Sequence, residues 1–233
     1  MKAALFERLL AARAGKQPVV LVTELDSGRQ ALVFASGDSD PGLAAEVVSA
    51  AREALRDGRS AIMDGGDAGK TFLHVFNPPL RLFVVGAVHI TQALAPMAAI
   101  LGYAVTVIDP RRAFATPQRF AQVRVLATWP DEALAGEQLD ARSAVVTLTH
   151  DPKLDDPALA AALRSDAFYI GCLGSRRTHG KRLQRLREAG FDAGSLERLH
   201  GPVGLDIGAS SPAEIATAIL AEMTRTLRRG AEA

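Results

Sequence analysis

Cysteine is almost absent from this chain of 233 residues, in which Cys172 is the single example. One cysteine cannot form an internal disulfide, and it cannot supply the thiolate clusters that hold structural zinc or iron–sulfur centres. This scarcity favours a reducing compartment. The formal net charge is only +1, so no overall positive field directs the chain to nucleic acid.

Long apolar stretches are missing as well. No uninterrupted run is long enough to cross a bilayer, and the first residues, Met1 to Glu7, lack the apolar core of a secretion signal. Hydrophobic residues nevertheless make up 48% of the sequence, which supports a packed core. We therefore expect a soluble, cytoplasmic protein without a membrane span, long enough for one large domain or two small ones.

The first third of the chain has the mixed pattern of a small α+β domain. Strand-like segments flank Asp26-Ser27-Gly28, whose residue types are typical of a hairpin turn, and a second hairpin is expected around Asp64-Gly65-Gly66-Asp67. Asn77-Pro78-Pro79 then breaks the pattern. We predict a small N-terminal α+β domain at residues 1–78 and a second domain at residues 79–233.

From Leu80 onward, strand and helix patterns alternate. Such alternation is typical of a parallel sheet with helices on both faces, so the predicted class is α/β and Rossmann-like. The predicted strands are 81–86, 104–109, 122–127, 143–149 and 167–172. The predicted helices are 90–101, 156–164, 180–189 and 212–228.

The first of these strands runs into a phosphate-binding type of turn in which one part is changed. It leads into Gly86, a helical pattern follows from about His89, and the next strand ends on Asp109. This order opens a nucleotide-binding Rossmann fold, whose usual fingerprint is G-x-G-x-x-G. Val88 replaces the second glycine, which normally lets the backbone approach a pyrophosphate. The segment therefore predicts the fold but disfavours ordinary NAD binding.

Ligands of open α/β sheets bind outside the carboxyl ends of the strands, and several polar residues of this chain fall there. Asp109 lies where a carboxylate accepts from a ribose hydroxyl, and Arg111 could bind a phosphate. A turn-capping aspartate and a solvated arginine are the alternatives. His150-Asp151 could supply a general base, a metal ligand or a substrate contact. The alternative is that Asp151 caps the next helix and His150 packs nearby.

The fifth strand leads into a basic helix start. Gly174-Ser175-Arg176-Arg177 opens the helix, where free backbone N–H groups and the helix dipole favour an anion. His179 follows in the same turn. We expect phosphate or pterin contact at Ser175 to Arg177, and we interpret the basic run from Lys181 to Arg185 as a solvated helix face. Cys172, within or just after the strand, is interpreted as a buried small residue.

These segments resemble the xanthine dehydrogenase accessory family, XdhC/CoxI. The resemblance covers about residues 80–225, and its parts occur in the same order. The matching runs are Phe83–Leu94, Val105–Arg111, Thr149–Asp151, Tyr169–His179, His200–Gly208 and Ser211–Glu222.

The resemblance implies a maturation factor for molybdenum hydroxylases. Such a protein binds molybdenum cofactor, a molybdopterin with or without a nucleotide, protects its sulfurated form and hands it to an apoenzyme of the xanthine or carbon monoxide dehydrogenase type. A homodimer is common among such proteins. Neither a catalytic residue nor a metal ligand is expected. The expected cofactor-binding residues are Gly86, Ala87, His89, Asp109, Arg111, His150, Asp151, Gly174, Ser175, Arg176, Arg177 and His179.

Two other functions remain open at this point. The same Rossmann edge could serve an NAD(P)-dependent oxidoreductase, or the chain could be an assembly subunit that docks on a dehydrogenase without binding a ligand. The fold alone does not separate these functions, because one fold hosts many chemistries.

Overall fold

The structure is a computed structural model that describes residues 2–35, 37, 39–64, 69–116, 118–120 and 123–229. The chain divides into two compact units, one up to Pro78 and one from Pro79 onward. The predicted hairpin turn at Asp64–Asp67 lies outside the described residues, except for Asp64 itself. Among the helices that are described, none combines the length and the apolar content needed to cross a bilayer.

The N-terminal unit is an antiparallel sheet of four strands with a helix on each face. Val20 and Val22 of the first strand pack under the second helix, whereas Val19 and Leu21 pack under the first. This alternation follows from the two-residue period of a strand. The strand order is β2-β1-β4-β3. The elements are α1 (Ala3–Ala14), β1 (Val19–Glu24), β2 (Gln30–Phe34), α2 (Ala45–Asp57), β3 (Ala61–Asp64) and β4 (Lys70–Phe76).

The second unit is a six-stranded parallel sheet flanked by helices, which confirms the predicted α/β class. Its strand order is β10-β9-β8-β5-β6-β7, so the first strand of the unit lies inside the sheet. The strands are β5 (Leu80–Val85), β6 (Tyr103–Ile108), β7 (Arg124–Leu126), β8 (Ser143–Thr147), β9 (Tyr169–Cys172) and β10 (Leu199–His200). The helices are α3 (His89–Ile100), α4 (Pro130–Ala135), α5 (Pro152–Leu163), α6 (Arg176–Glu188), α7 (Ala193–Glu197) and α8 (Pro212–Arg229).

Two apolar cores lie on opposite faces of this sheet. Leu82 and Val84 of β5 belong to the core that includes side chains of α3 and α8. Phe83 and Val85 belong to the other core, which includes side chains of α5 and α6. A strand that is buried on both faces appears in the sequence as a continuous apolar run, and Leu82 to Val85 has that form.

Three short elements escaped the sequence-based prediction. They are α4, α7 and β10, of six, five and two residues. Segments of that length hold less than two helical turns or one strand alternation, so they carry no measurable periodicity. The strand β10 instead depends on tertiary contacts. Glu222 of α8 accepts hydrogen bonds from the Tyr169 hydroxyl at 2.6 Å and from the Gly204 N–H at 2.8 Å, which fixes the segment after β10.

Because all six strands are parallel, their carboxyl ends meet at one edge of the sheet. The strands β9, β8, β5 and β6 are consecutive in that order. The turns that follow them carry almost all of the residues that the sequence marked as a site. The topology therefore positions these turns side by side, where ligands of open α/β sheets bind.

Candidate functional site

The turn after β5 is built on a glycine that no other residue could replace without strain. Gly86 has φ +112°, and a Cβ placed on it would lie 2.7 Å from Cγ2 of Thr149. Its N–H donates to the Ile108 carbonyl at 2.8 Å. The β5 turn is thus pressed against the turns after β8 and β6, and its backbone geometry depends on the absence of a side chain.

Asp109, at the end of β6, is fully buried beneath this turn. Its carboxylate accepts from the Ala87 N–H at 2.8 Å and from the Arg111 guanidinium at 2.7 and 2.9 Å. Burial raises the pKa of Asp109, but the hydrogen bonds from Arg111 and Ala87 outweigh it and hold the pKa below its ordinary value. The geometry is that of the capping alternative, in which the carboxylate holds the turn rather than facing a ribose.

The beginning of α3 completes the β5 turn. His89, its first residue, is exposed, and Val88 before it is partly buried against the core of α3 and α8. Thr91 takes the last fingerprint position, where a smaller residue usually allows close packing. Its side chain is fully buried, and its hydroxyl donates to the Gly86 carbonyl. A hydrogen bond therefore ties the helix to the strand end in place of close contact.

The turn after β8 separates the roles expected of His150 and Asp151. Asp151 is the N-cap of α5 and accepts from the Lys153 N–H at 3.0 Å, so it fits the capping alternative. His150 is exposed and has φ +67°. Left-handed backbone is uncommon for residues other than glycine, and such positions collect at functional sites. His150 therefore remains the candidate of this turn.

The turn after β9 is a helix start, as predicted, and Ser175 caps it. Ser175 is the N-cap of α6, and its hydroxyl accepts from the Thr178 N–H at 3.2 Å. Gly174 has φ +141°, and a Cβ on it would lie 3.1 Å from the Thr178 side chain. Arg176 and Arg177 are exposed in the first helical turn. Both guanidinium groups are therefore accessible near the carboxyl end of β9.

The basic run that follows is the solvated face that the sequence suggested only in part, because Lys181 is exposed but Arg182 is not. Arg182 is only 2% exposed, and its Nη2 donates to the Leu173 carbonyl at 2.8 Å. The run contains Arg182 four residues before the buried Leu186, on the same side of the helix. That spacing was the signal available in the sequence. A cationic residue type obscured it, because arginine is rarely buried unless it is paired.

The partner of Arg182 is a carboxylate that sequence reasoning did not single out. Asp155 of α5 is 1% exposed, and its Oδ2 lies 3.6 Å from Nη2 of Arg182. It also accepts from the Thr149 hydroxyl at 2.6 Å. Burial raises the pKa of Asp155, although Thr149 and Arg182 act in the opposite direction. This pair joins the turns after β8 and β9 beneath the surface.

A cavity of about 310 Å³, the α5–α6 cavity, lies above this buried pair. Of the residues predicted from the sequence, it brings together His150 and Arg177. Gly86, Ala87 and His89 belong to the neighbouring β5 turn instead, and Asp109 and Arg111 belong to the end of β6 beneath that turn. The charged or ionisable side chains of the lining are His150, Asp155, Arg177, Lys181, Arg182 and Arg185. Most of them are cations, so the cavity suits an anion.

A larger cavity of about 770 Å³ lies between α3 and α8. Its lining is mainly apolar, and the only charged side chains in it are Arg225 and Arg228. It offers little beyond hydrocarbon to orient a ligand. The convergence of polar groups, glycine turns and a helix start favours the α5–α6 cavity and the β5 turn as the candidate site.

Cys172 and His179 lie behind the site rather than in it. Cys172 is fully buried, and its Sγ lies 3.4 Å from the His200 carbonyl and 3.6 Å from Nδ1 of His179. The 0% exposure of Cys172 confirms the interpretation as a buried small residue, and burial raises the pKa of the thiol to about 11. Burial, with Arg182 nearby, lowers the pKa of His179. Among the described residues, no cluster of three or more His, Cys, Asp or Glu could hold a metal.

Comparison with known proteins identifies the fold and the family. The chain resembles a crystal structure described as a xanthine dehydrogenase from Bacillus halodurans, with a TM-score of 0.70 and 24% identity. That match covers 95% of this chain and 66% of the other, and at this identity it shows a shared fold.

Two relatives of known name match over much of the chain. PaoD from Escherichia coli, a molybdenum cofactor insertion chaperone, is 34% identical over 64% of this chain. A Bacillus subtilis protein named as a probable subunit of xanthine dehydrogenase is 33% identical over 68% of it. The chain spans 40% and 46% of their respective lengths, less than half of each. The family model of the XdhC Rossmann domain matches residues 82–223, and the chain therefore belongs to the XdhC family.

Proposed function

We propose that this chain is a maturation factor that binds molybdenum cofactor and assists its insertion into a molybdenum hydroxylase of the xanthine dehydrogenase type. The observation that carries the proposal is the cationic α5–α6 cavity at the carboxyl edge of an XdhC Rossmann sheet. Further support comes from the relative that is named as an insertion chaperone.

The residues of the edge fit an anionic, flat cofactor. Nε and Nη1 of Arg182 are buried and have no hydrogen-bond partner among the described residues, so an anion nearby would relieve an unfavourable charge. Arg177 would bind a phosphate oxygen, and the free N–H groups of the first turn of α6 would add to it. The cofactor, when bound, supplies the metal chemistry that its client enzyme later uses. This chain would bind and orient the cofactor.

A titration calorimetry experiment tests the proposal. The purified protein is titrated under anaerobic conditions with molybdenum cofactor, and separately with NADH and NADPH. Saturable binding of the molybdenum cofactor alone supports the maturation factor. Binding of a nicotinamide dinucleotide alone would support an oxidoreductase. Binding of neither would support an assembly factor that works without a ligand, and either of these two results would overturn the proposal.

The side chain of Val88 is expected to reduce the affinity of the site for nicotinamide dinucleotides. It stands where the Rossmann fingerprint has the glycine that faces a pyrophosphate, and it is the N-cap of α3. Val88→Gly should raise the affinity for NADH about tenfold, since relief of steric crowding is typically worth 1–3 kcal/mol. Glycine is an acceptable N-cap residue, so the helix should persist.

Val88→Thr is the matched control, because threonine keeps the β-branched bulk while also serving as an N-cap. Its affinity for NADH should equal that of the wild type in the same titration. An equal gain in both variants, or no gain in Val88→Gly, would contradict the steric explanation.

A further inference from the structure

Arg182 is a buried cation whose hydrogen bonds are incomplete. Its Nη2 donates to the Leu173 carbonyl, but Nε and Nη1 have no partner among the described residues. The Cys172 sulfur lies close enough to the guanidinium to accept a hydrogen bond from it, but sulfur is a weak acceptor and satisfies the donor poorly. The Asp155 carboxylate, at 3.6 Å from Nη2, is beyond a normal hydrogen bond. Nε and Nη1 of this guanidinium are therefore buried donors without a good acceptor among the described residues.

The lining of the cavity carries more positive than negative charge. Arg185 is matched by Asp156, whose carboxylate accepts two hydrogen bonds from it at 2.5 and 2.9 Å. The lining has one carboxylate, that of Asp155, and three further cations, which are Arg177, Lys181 and Arg182. The excess is therefore two positive charges. A phosphate monoester carries about −1.5 to −2 charges near neutral pH, so it would neutralise this excess.

The surroundings supply directional groups as well as charge. Ser175 uses its hydroxyl to cap the Thr178 N–H, and the other N–H groups of the first turn of α6 lack partners within the helix. Thr178 and Arg177 from that turn line the cavity, together with Lys181 one turn later. A tetrahedral oxyanion in the cavity would therefore meet a helix start from one side and the charge of Arg182 from below.

We propose that the α5–α6 cavity, with the buried Asp155–Arg182 pair as its floor, binds the phosphate monoester of the ligand. This deepens the proposed function, because it assigns the phosphate of the cofactor to the cavity rather than to the β5 turn. Free inorganic phosphate shares the same chemistry, and the two sources are separated by titrating inorganic phosphate and adenosine monophosphate in parallel. Binding of both fits the proposal, whereas binding of inorganic phosphate alone would overturn the monoester assignment.

Asp155→Asn should lower the stability of the free protein and yet raise its affinity for phosphate. The asparagine carbonyl can still accept from the Thr149 hydroxyl, but the negative charge that repels an anion and balances Arg182 is gone. Without ligand, the variant should melt at a lower temperature than the wild type, because an uncompensated buried charge destabilises the fold. With phosphate or adenosine monophosphate, it should bind about tenfold more tightly and regain more thermal stability than the wild type does. Structural damage alone would weaken binding.

Asp166→Asn is the matched control for the same change of charge. Asp166 is exposed and follows the carboxyl end of α5, whereas Asp155 lies in its first turn. The variant should reproduce the wild-type melting temperature and the wild-type phosphate affinity. If Asp155→Asn lowers the affinity, or if both variants shift it equally, the cavity is not the phosphate site.

A substitution of an exposed residue of the lining tests the cavity without disturbing the buried Asp155–Arg182 pair. Lys181→Gln should weaken binding of adenosine monophosphate about tenfold, as expected for a lost charged contact. Arg187→Gln, an exposed position on the same helix outside the lining, should leave it unchanged. Equal losses in the two variants would indicate only a general effect of charge and would overturn the proposal.

The outcome for the cavity and the outcome for the function are separable. If the molybdenum cofactor binds with an affinity that neither Asp155→Asn nor Lys181→Gln changes, the phosphate assignment fails and the proposed function stands. If phosphate monoesters bind with the expected pattern of variants but the molybdenum cofactor does not, the cavity stands and the proposed function fails.

Discussion

A double change of Arg176 and Arg177 to glutamine should weaken binding of molybdenum cofactor by about 2–4 kcal/mol, roughly 30- to 1,000-fold. Each charged hydrogen bond contributes roughly 1.5–3 kcal/mol, and two neighbours on one ligand are not fully additive. Both arginines are exposed in the first turn of α6. The melting temperature should therefore change little, because exposed arginines contribute little to stability.

The single variants divide this effect unequally. Arg177 lines the α5–α6 cavity and Arg176 does not, so Arg177→Gln should account for most of the loss and Arg176→Gln for the smaller remainder. A client molybdoenzyme that matures with the double variant should fold normally but contain little cofactor. Full cofactor occupancy in a client that strictly requires this chain would move the functional site away from the turn after β9.

Asp109→Ala should lower the free energy of unfolding of the second unit by about 2–4 kcal/mol. The substitution removes the acceptor of the Ala87 N–H and of the Arg111 guanidinium, and it leaves a buried donor without a partner. In a domain of this size, the melting temperature should fall by roughly 5–15 °C, which calorimetry measures directly. Asp166→Ala, at an exposed position, is the control and should change it little.

The loss caused by Asp109→Ala should depend on pH in a defined direction. The folded protein holds the pKa of Asp109 below its ordinary value, so the carboxylate binds fewer protons in the folded than in the unfolded state. Its stabilisation is therefore fully present above the unfolded value of about 3.9 and is lost as the pH falls through the lower, folded pKa. The difference between wild type and variant should be constant from pH 7 to about pH 5 and should shrink below about pH 4. A difference that grows in acid would contradict this assignment.

The fold was predictable because its signals are local. Each of the five strands predicted after Leu80 overlaps a strand of the sheet, although β5 and β6 both begin one residue earlier than predicted. An apolar run such as Leu82–Val85 indicates burial on both faces. The helix α6 begins at Arg176, four residues before the predicted start at residue 180, because its first turn carries no apolar residue. Periodicity detects a helix only after its buried side begins.

The candidate site was predictable only in part, because charge states and partners arise from tertiary contacts. Sequence position placed Asp109 at the correct strand end, yet its carboxylate points to the turn instead of to the crevice. Asp155 and Arg182 belong to two helices separated by β9, and no local pattern links them. A buried ion pair of this kind leaves a trace only in helical spacing, since each member lies four residues before a buried leucine, Leu159 or Leu186.

The central position of β5 sets the order in which the strands of the sheet can pair during synthesis. Its two neighbours, β6 and β8, join it through pairs such as Arg81–Ala104 and Arg81–Ser143. The second pair cannot form until the chain has been synthesised as far as Ser143, about sixty residues after Arg81. Until then, one flank of a largely apolar strand offers unsatisfied backbone groups to any other extended segment. Folding during synthesis should therefore be slow and prone to aggregation up to β8, and shielding of β5 by chaperones should matter most in that interval.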